Sequence, residues 1–203
     1  MGRIAVLDYG MGNLHSVRRA LERVGGQVEV TADAGETLAA DALVIPGVGH
    51  FGVCVWALRA ANLESAILDF IATDRPVFGV CVGMQVLFDA SEEADDPGMS
   101  ALPGRVTRLP SSVKVPHMGW NTVTWATAHP YVAGIPDGTF FYFVHSYAAG
   151  LAEGLTVGVA DHGRAFSAVV ARGNVFATQF HPEKSGEAGL QLYANVVREV
   201  RAA

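Results

Sequence analysis

A cysteine between two glycines ends the apolar run PVFGVCVGMQ (76–85), and a histidine and a glutamate two residues apart follow a second apolar run in TQFHPEKSG (178–186). At a strand-to-helix junction a sharp turn would expose the Cys81 sulfur, and the unpaired amides of the helix would favour its thiolate. Gly79 and Gly83 flank that turn and leave room for strained backbone and for the close approach of a substrate. The plainer alternative is a small buried hydrophobe, which is what most free cysteines are. A thiol nucleophile also needs a base and a group to orient that base. In extended geometry His181 and Glu183 point to one side, so Glu183 could hold the imidazole in the useful tautomer and stabilise its charged form. A surface turn at Pro182 with both groups solvated is the competing reading.

Backbone donors would complete such a site. VIPGVGHFG (44–52) ends an apolar run with Gly47 and Gly49, and a donor from Val48 or Gly49, joined by the amide of Val82, would form an oxyanion hole. An ordinary strand-to-helix turn would use the same glycines. DYGMGNLHSV (8–17) falls short of a dinucleotide fingerprint because His15 stands where a third glycine is expected, and no GxxxxGK[ST] loop occurs. Cys54, in the apolar helical segment FGVCVWAL, reads as structural. His15, His50, His117, His129, His145 and His162 default to solvated or hydrogen-bonded structural positions.

Elements of a particular kind must hold these residues. Short runs rich in Val, Ile and Phe at 3–9, 27–31, 42–47 and 76–80 predict buried parallel strands, and amphipathic patterns at 13–24, 50–60 and 63–72 predict the helices between them. This alternation predicts an α/β fold, a central, mostly parallel sheet with helices on both faces. Ligands in such sheets gather at the carboxyl ends of the strands, where Cys81 falls. After a helix expected over 84–90 and an exposed loop over 91–104, strands at 104–109, 119–125, 139–144, 155–160, 165–171 and 174–180 predict an α+β half with antiparallel pairs. A final amphipathic helix over 187–200 docks on the core through Leu192, Tyr193 and Val196.

With 203 residues, half of them hydrophobic, the chain suits one domain over 1–203 with a sizeable core. A net charge of -6 and the absence of a Lys/Arg cluster argue against nucleic acid and leave a small molecule or another protein as the partner. Two cysteines make neither a CxxC metal site nor a disulfide framework, and no run of about 18 apolar residues suggests a membrane span. A reducing cytoplasm fits best.

Together, GVCVGMQ and HPE resemble the nucleophile elbow and His-x-Glu pair of class I (triad) glutamine amidotransferases, over essentially the whole chain. Within that family, DYGMGNL, PGVGHFG, KVPHMGWN, YFVHSY and QFHPEKSG occur in the order seen in the glutaminase subunits of imidazole glycerol phosphate synthases. The resemblance implies hydrolysis of glutamine to glutamate and ammonia by Cys81, His181 and Glu183, with oxyanion donors from Val48, Gly49 and Val82. It further implies glutamine binding by Gly49, Gln85, Ser146 and Tyr147, and contact with a separate (β/α)8 cyclase subunit through Asn13, Trp120, Tyr142 and Lys184. The ammonia would travel to that heterodimer partner through a channel, with no metal or organic cofactor. By the same resemblance, the peptide between Val48 and Gly49 rests misoriented and turns its amide inward when the cyclase binds its nucleotide. Val82, His50 and the apolar VCVW (53–56) depart from the family pattern, and His50 could alter that resting state. Two rival readings remain: the glutaminase partnered with pyridoxal phosphate synthase, against which KVPHMGWN argues, and a catalytically silent binding module of the same fold.

Overall fold

Continuous runs of branched and aromatic side chains suit strands covered on both faces. In a computed structural model describing residues 2–202, they form β1 (Arg3–Leu7), β2 (Gln27–Thr31), β3 (Ala42–Gly47) and β4 (Val77–Cys81), and every residue of β3 and β4 is buried. Helices alternate with them: α1 (Leu14–Arg23), α2 (Ala34–Leu38), α3 (Phe51–Ala60) and α4 (Leu63–Ile71). In α1, Val17, Ala20 and Leu21 recur at helical spacing and form its buried face. α2 lies outside the expected helices, although Asp33 accepts the Glu36 amide at 2.8 Å as its N-cap.

The chain then departs from the expected helix over 84–90. Helix α5 spans only Val82–Gln85, and β5 (Phe88–Ser91) follows at once. The reason is tertiary: the carbonyls of Val86, Leu87 and Asp89 accept the amides of Met99, Leu102 and Gly98, each at 2.9 Å, so they cannot serve a helix. The 91–104 segment is therefore not a free loop, since Ser91, Met99 and Leu102 are buried. β5 pairs with β6 (Leu102–Arg108), and β6 pairs with the short β9 (Tyr147–Ala149), in a small second sheet that the sequence reading did not anticipate.

The remaining strands are β7 (His117–Trp125), β8 (Thr139–His145), β10 (Thr156–Asp161), β11 (Ala165–Arg172) and β12 (Val175–Thr178), before the closing helix α6 (Gly186–Ala202). The main sheet has nine strands in the order β2-β1-β3-β4-β12-β11-β10-β7-β8, parallel from β2 to β12 and antiparallel beyond it. Thus β12 couples the halves, with Val80 of β4 beside Thr178 of β12 in parallel register. Phe141 stacks on Phe180 at 4.0 Å, and Phe143 meets Phe166 edge-on. Each such fully buried ring contributes about 1.5–3 kcal/mol of apolar burial to the core that joins β8 to β11 and to the segment just past β12. No single helix among the described residues is long and apolar enough to cross a membrane.

Candidate active site

Cys81 is the last residue of β4 and sits at φ 55°, ψ -111°, a conformation a side chain seldom adopts. Helix α5 starts at the next residue, so the turn has the strand-to-helix form expected of it. The glycines around it serve a tighter purpose than substrate access. A Cβ on Gly83 would lie 1.8 Å from the Ile45 carbonyl oxygen, and one on Gly79 would lie 2.9 Å from the Gly83 oxygen. They let β3, β4 and α5 close on one another, and that contact forces the backbone through the elbow.

His181 follows β12 and is held at both ends of its peptide. Its amide donates to the Tyr142 carbonyl at 3.0 Å, and its carbonyl accepts the Ser185 hydroxyl at 2.6 Å. The Ser185 oxygen in turn accepts the Tyr142 amide at 3.0 Å, closing a loop between β8 and the turn. His181 Nδ1 meets Glu183 Oε1 at 2.8 Å, with both side chains 1% exposed. The pair does not arise from strand alternation as expected. β12 ends at Thr178, and Pro182–Lys184 form one turn of 3-10 helix that folds Glu183 back on the ring, proline suiting the first position of such a turn. His181 Nε2 makes no hydrogen bond and is the nitrogen left for chemistry. Burial works against the charged ring, but Cys81 and then Glu183 outweigh it and raise the His181 pKa to about 10.

Cys81 and His181 meet in a cavity of about 310 Å³ whose walls also carry Val48, Gly49, Val82, Gln85, Ser146 and Tyr147. The amides of Val48 and Gly49 donate to no group among the described residues, while the Val48 carbonyl accepts the buried Cys54 thiol at 3.4 Å. Cys54 is structural and touches this loop, and burial chiefly pushes its pKa up to about 11. His50 serves as the N-cap of α3, accepting the Gly52 amide at 3.1 Å, which gives that departure from the family pattern a local structural role.

Of the residues expected to face a partner, Lys184 lines the cavity mouth and its ammonium lies 6.0 Å from the Tyr142 ring. Trp120 is 55% exposed and meets Tyr142 edge-on at 6.0 Å, outside the cavity. Asn13 precedes α1 without capping it through its side chain and also lies outside the cavity. Met118 and Phe140 are exposed beside Trp120 on β7 and β8.

Several cavity residues were not anticipated. Glu93, from the segment expected to be an exposed loop, lines the wall and accepts the Phe51 amide through Oε2 at 2.8 Å. His145 is buried, donates through Nδ1 to the Tyr147 carbonyl at 2.8 Å, and so accepts through Nε2 from His117 at 2.9 Å. Burial is the main cause holding both rings neutral, lowering His145 to about 3 and His117 to about 4. Gln179 and Ser185 do not line the cavity but are buried against residues that do, Gln179 beside Cys81 and Gln85 and Ser185 beside His181. A larger groove of about 640 Å³ beside α1 contains neither Cys81 nor the amides of Val48 and Gly49. No cluster of three or more His, Cys, Asp or Glu suited to a metal ion occurs among the described residues.

A thiol at a strained turn, a paired imidazole and unpartnered backbone amides around one cavity are groups of the kind that acyl transfer uses. The family model for class-I glutamine amidotransferase matches residues 5–200. Imidazole glycerol phosphate synthase subunit HisH of Mycobacterium leprae is 50% identical, covering 97% of this chain and 98% of the relative. HisH of Moorella thermoacetica is 46% identical, covering 100% and 98%. Among solved structures, PurLQS from Thermotoga maritima overlays with a TM-score of 0.75 at 20% identity, covering 98% of this chain and 99% of that one. The glutaminase domain of Trypanosoma brucei CTPS with bound acivicin gives 0.70 at 18%, covering 100% and 94%, and both share the fold. With nearly the whole chain matched by the family and by HisH relatives, this chain belongs to the class-I glutamine amidotransferases, in the group of imidazole glycerol phosphate synthase HisH subunits.

Proposed function

We propose that this chain is the glutaminase subunit of an imidazole glycerol phosphate synthase in histidine biosynthesis, acting in the cytoplasm as one domain. The observation that carries the reading is the meeting of an elbow cysteine with the unpartnered Nε2 of a Glu-held histidine in one cavity. Glutamine enters with its side-chain amide at Cys81. The α-ammonium group pairs with the Glu93 carboxylate, and the free Oε1 of Gln85, with backbone at Gly49, Ser146 and Tyr147, holds the rest of the substrate.

His181 takes the Cys81 proton, and the thiolate attacks the amide carbon. Amides of Val48, Gly49 and Val82 stabilise the tetrahedral oxyanion. His181 returns the proton to the leaving nitrogen, the C–N bond breaks, and ammonia departs from a thioester. Water then attacks the thioester while His181 accepts its proton, and breakage of the C–S bond frees glutamate and the thiol. Glu183 orients the ring and stabilises its charged form throughout.

The ammonia passes through a channel to a (β/α)8 cyclase subunit, which forms imidazole glycerol phosphate and aminoimidazole carboxamide ribonucleotide. The exposed Trp120, beside Tyr142 and Lys184 at the cavity mouth, supports docking on that side, with Asn13 adding to the contact. Docking turns the Val48–Gly49 peptide, and the Cys54 contact is what it must break. The test is glutamate release by the chain alone, with the cyclase subunit, and with cyclase plus its nucleotide, each repeated with Cys81→Ala. Activity that depends on the liganded partner and vanishes in the variant is expected. Silence of the folded, verified complex under every condition would return the chain to a binding module.

A further inference from the structure

Gln179 is fully buried and lies between two groups that the proposed reaction uses. Its amide orientation is fixed by its neighbours. Gln85 Nε2 must donate to the Tyr147 carbonyl, at 3.0 Å, because a carbonyl can only accept. The same nitrogen reaches Gln179 at 2.9 Å, so the Gln179 atom facing it is Oε1. That leaves Gln179 Nε2 directed at Cys81 Sγ, 3.7 Å away. On its other side Sγ has the Val144 carbonyl at 3.9 Å, an acceptor that suits a thiol and repels a thiolate.

We infer that Gln179 is the positioning residue of the nucleophile. Its N–H donates to Sγ and favours the thiolate, and its carbonyl fixes Gln85. Building on the reading of Cys81 as nucleophile, this ties the charge state of the sulfur to the orientation of a substrate-binding amide through one side chain. Cys81 is 2% exposed, so few solvent donors reach its sulfur and a protein donor counts for more. Gln85 in turn shares the Tyr147 carbonyl with His145, so the hold extends to the neutral His145–His117 pair and to Asn121, which donates to His117 Nε2 at 3.3 Å.

The experiment follows the pH dependence of Cys81 alkylation by iodoacetamide in the full chain, with mass spectrometry separating Cys81 from Cys54. Gln179→Leu removes both contacts; Gln179→Glu keeps the acceptor for Gln85 and replaces the donor to sulfur with a like charge. A hydrogen bond to a charged group predicts a midpoint raised by about one pH unit in Gln179→Leu and by more in Gln179→Glu, with the high-pH rate preserved. Turnover with the partner should fall about tenfold at pH 7 in both, with KM rising more for Gln179→Leu. In the unmodified chain, the Gln179 side-chain amide proton resonance should titrate with the alkylation midpoint, a readout independent of whether either variant folds. An unmoved midpoint in a folded variant, or a resonance flat through the wild-type midpoint, overturns the inference. A wild-type complex without glutaminase activity overturns the function instead, since the titration does not require turnover.

Discussion

Replacing Gly83 by alanine puts one methyl group where the backbone of β3 already stands. The new Cβ would lie 1.8 Å from the Ile45 oxygen, 2.8 Å from the Ile45 carbonyl carbon and 3.1 Å from that of Pro46. All three are backbone atoms, so no side-chain rotation relieves the contact. Restoring ordinary separation requires about 1.5 Å of movement between β3 and α5. Gly83 is two residues beyond Cys81, so the sulfur shifts with the helix. A misplacement of about 1 Å costs on the order of 100-fold in rate, and overpacking costs about 1–3 kcal/mol of stability, or roughly 3–10 °C in Tm for a chain of this size. Glutamate release in the presence of the partner and the calorimetric Tm measure the two effects. Gly150→Ala is the control, because nothing lies within 4 Å of its Cβ position. A Gly83→Ala chain with wild-type rate and Tm would refute the claim that the β3–α5 contact sets the elbow.

Glu183→Gln keeps the shape of the buried pair but removes the charge that favours imidazolium, so kcat should fall on the order of 100-fold with a smaller change in KM, read by steady-state kinetics. The raised His181 pKa means that the folded state binds this proton more tightly than the unfolded state does. Its contribution to stability is therefore full below the ordinary histidine value of about 6.5 and is lost as pH rises toward about 10. Urea midpoints across that window should show less of this loss in Cys81→Ala. Ser185→Ala strips partners from the Tyr142 amide and the His181 carbonyl and should cost about 1–3 kcal/mol in urea unfolding. Cys54→Ala releases the Val48 carbonyl, and glutamate release without the partner should rise a few-fold, as loss of a weak bond of about 1 kcal/mol implies.

The parallel half of the fold was legible because its strands are apolar throughout and its helices amphipathic. The break after Gln85 was not, since local periodicity cannot reveal that residues 98–102 claim the carbonyls of 86–89. α2 carried a readable signal in Asp33 followed by Glu36. At the candidate site, residue types and spacing singled out Cys81, His181 and Glu183, while the turn that joins the last two lay hidden behind an assumed strand. Gln179 carried no local signal either, since its place beside Cys81 and Gln85 is set by contacts across more than 90 residues. Glu93 and Ser185 offered none, because each reaches the site through long-range hydrogen bonds.

Cys81 ends β4 one residue past Val80, whereas His181 lies three residues beyond Thr178, the last residue of β12, and is held by the Tyr142 carbonyl and the Ser185 hydroxyl. The two side chains are thus carried from adjacent parallel strands, about 4.8 Å apart, with the turn after β12 tied in turn to β8. Moving one against the other would break ladder hydrogen bonds or the contacts of His181 with Tyr142 and Ser185. The Val48–Gly49 segment lies beyond the end of β3, and Gly49 is exposed, so it can move without disturbing a ladder. Under the proposed reading, an assembly built on this chain would keep Cys81 and His181 aligned and govern glutamine hydrolysis through the single Val48–Gly49 peptide, spending little glutamine while idle and needing no large rearrangement to start.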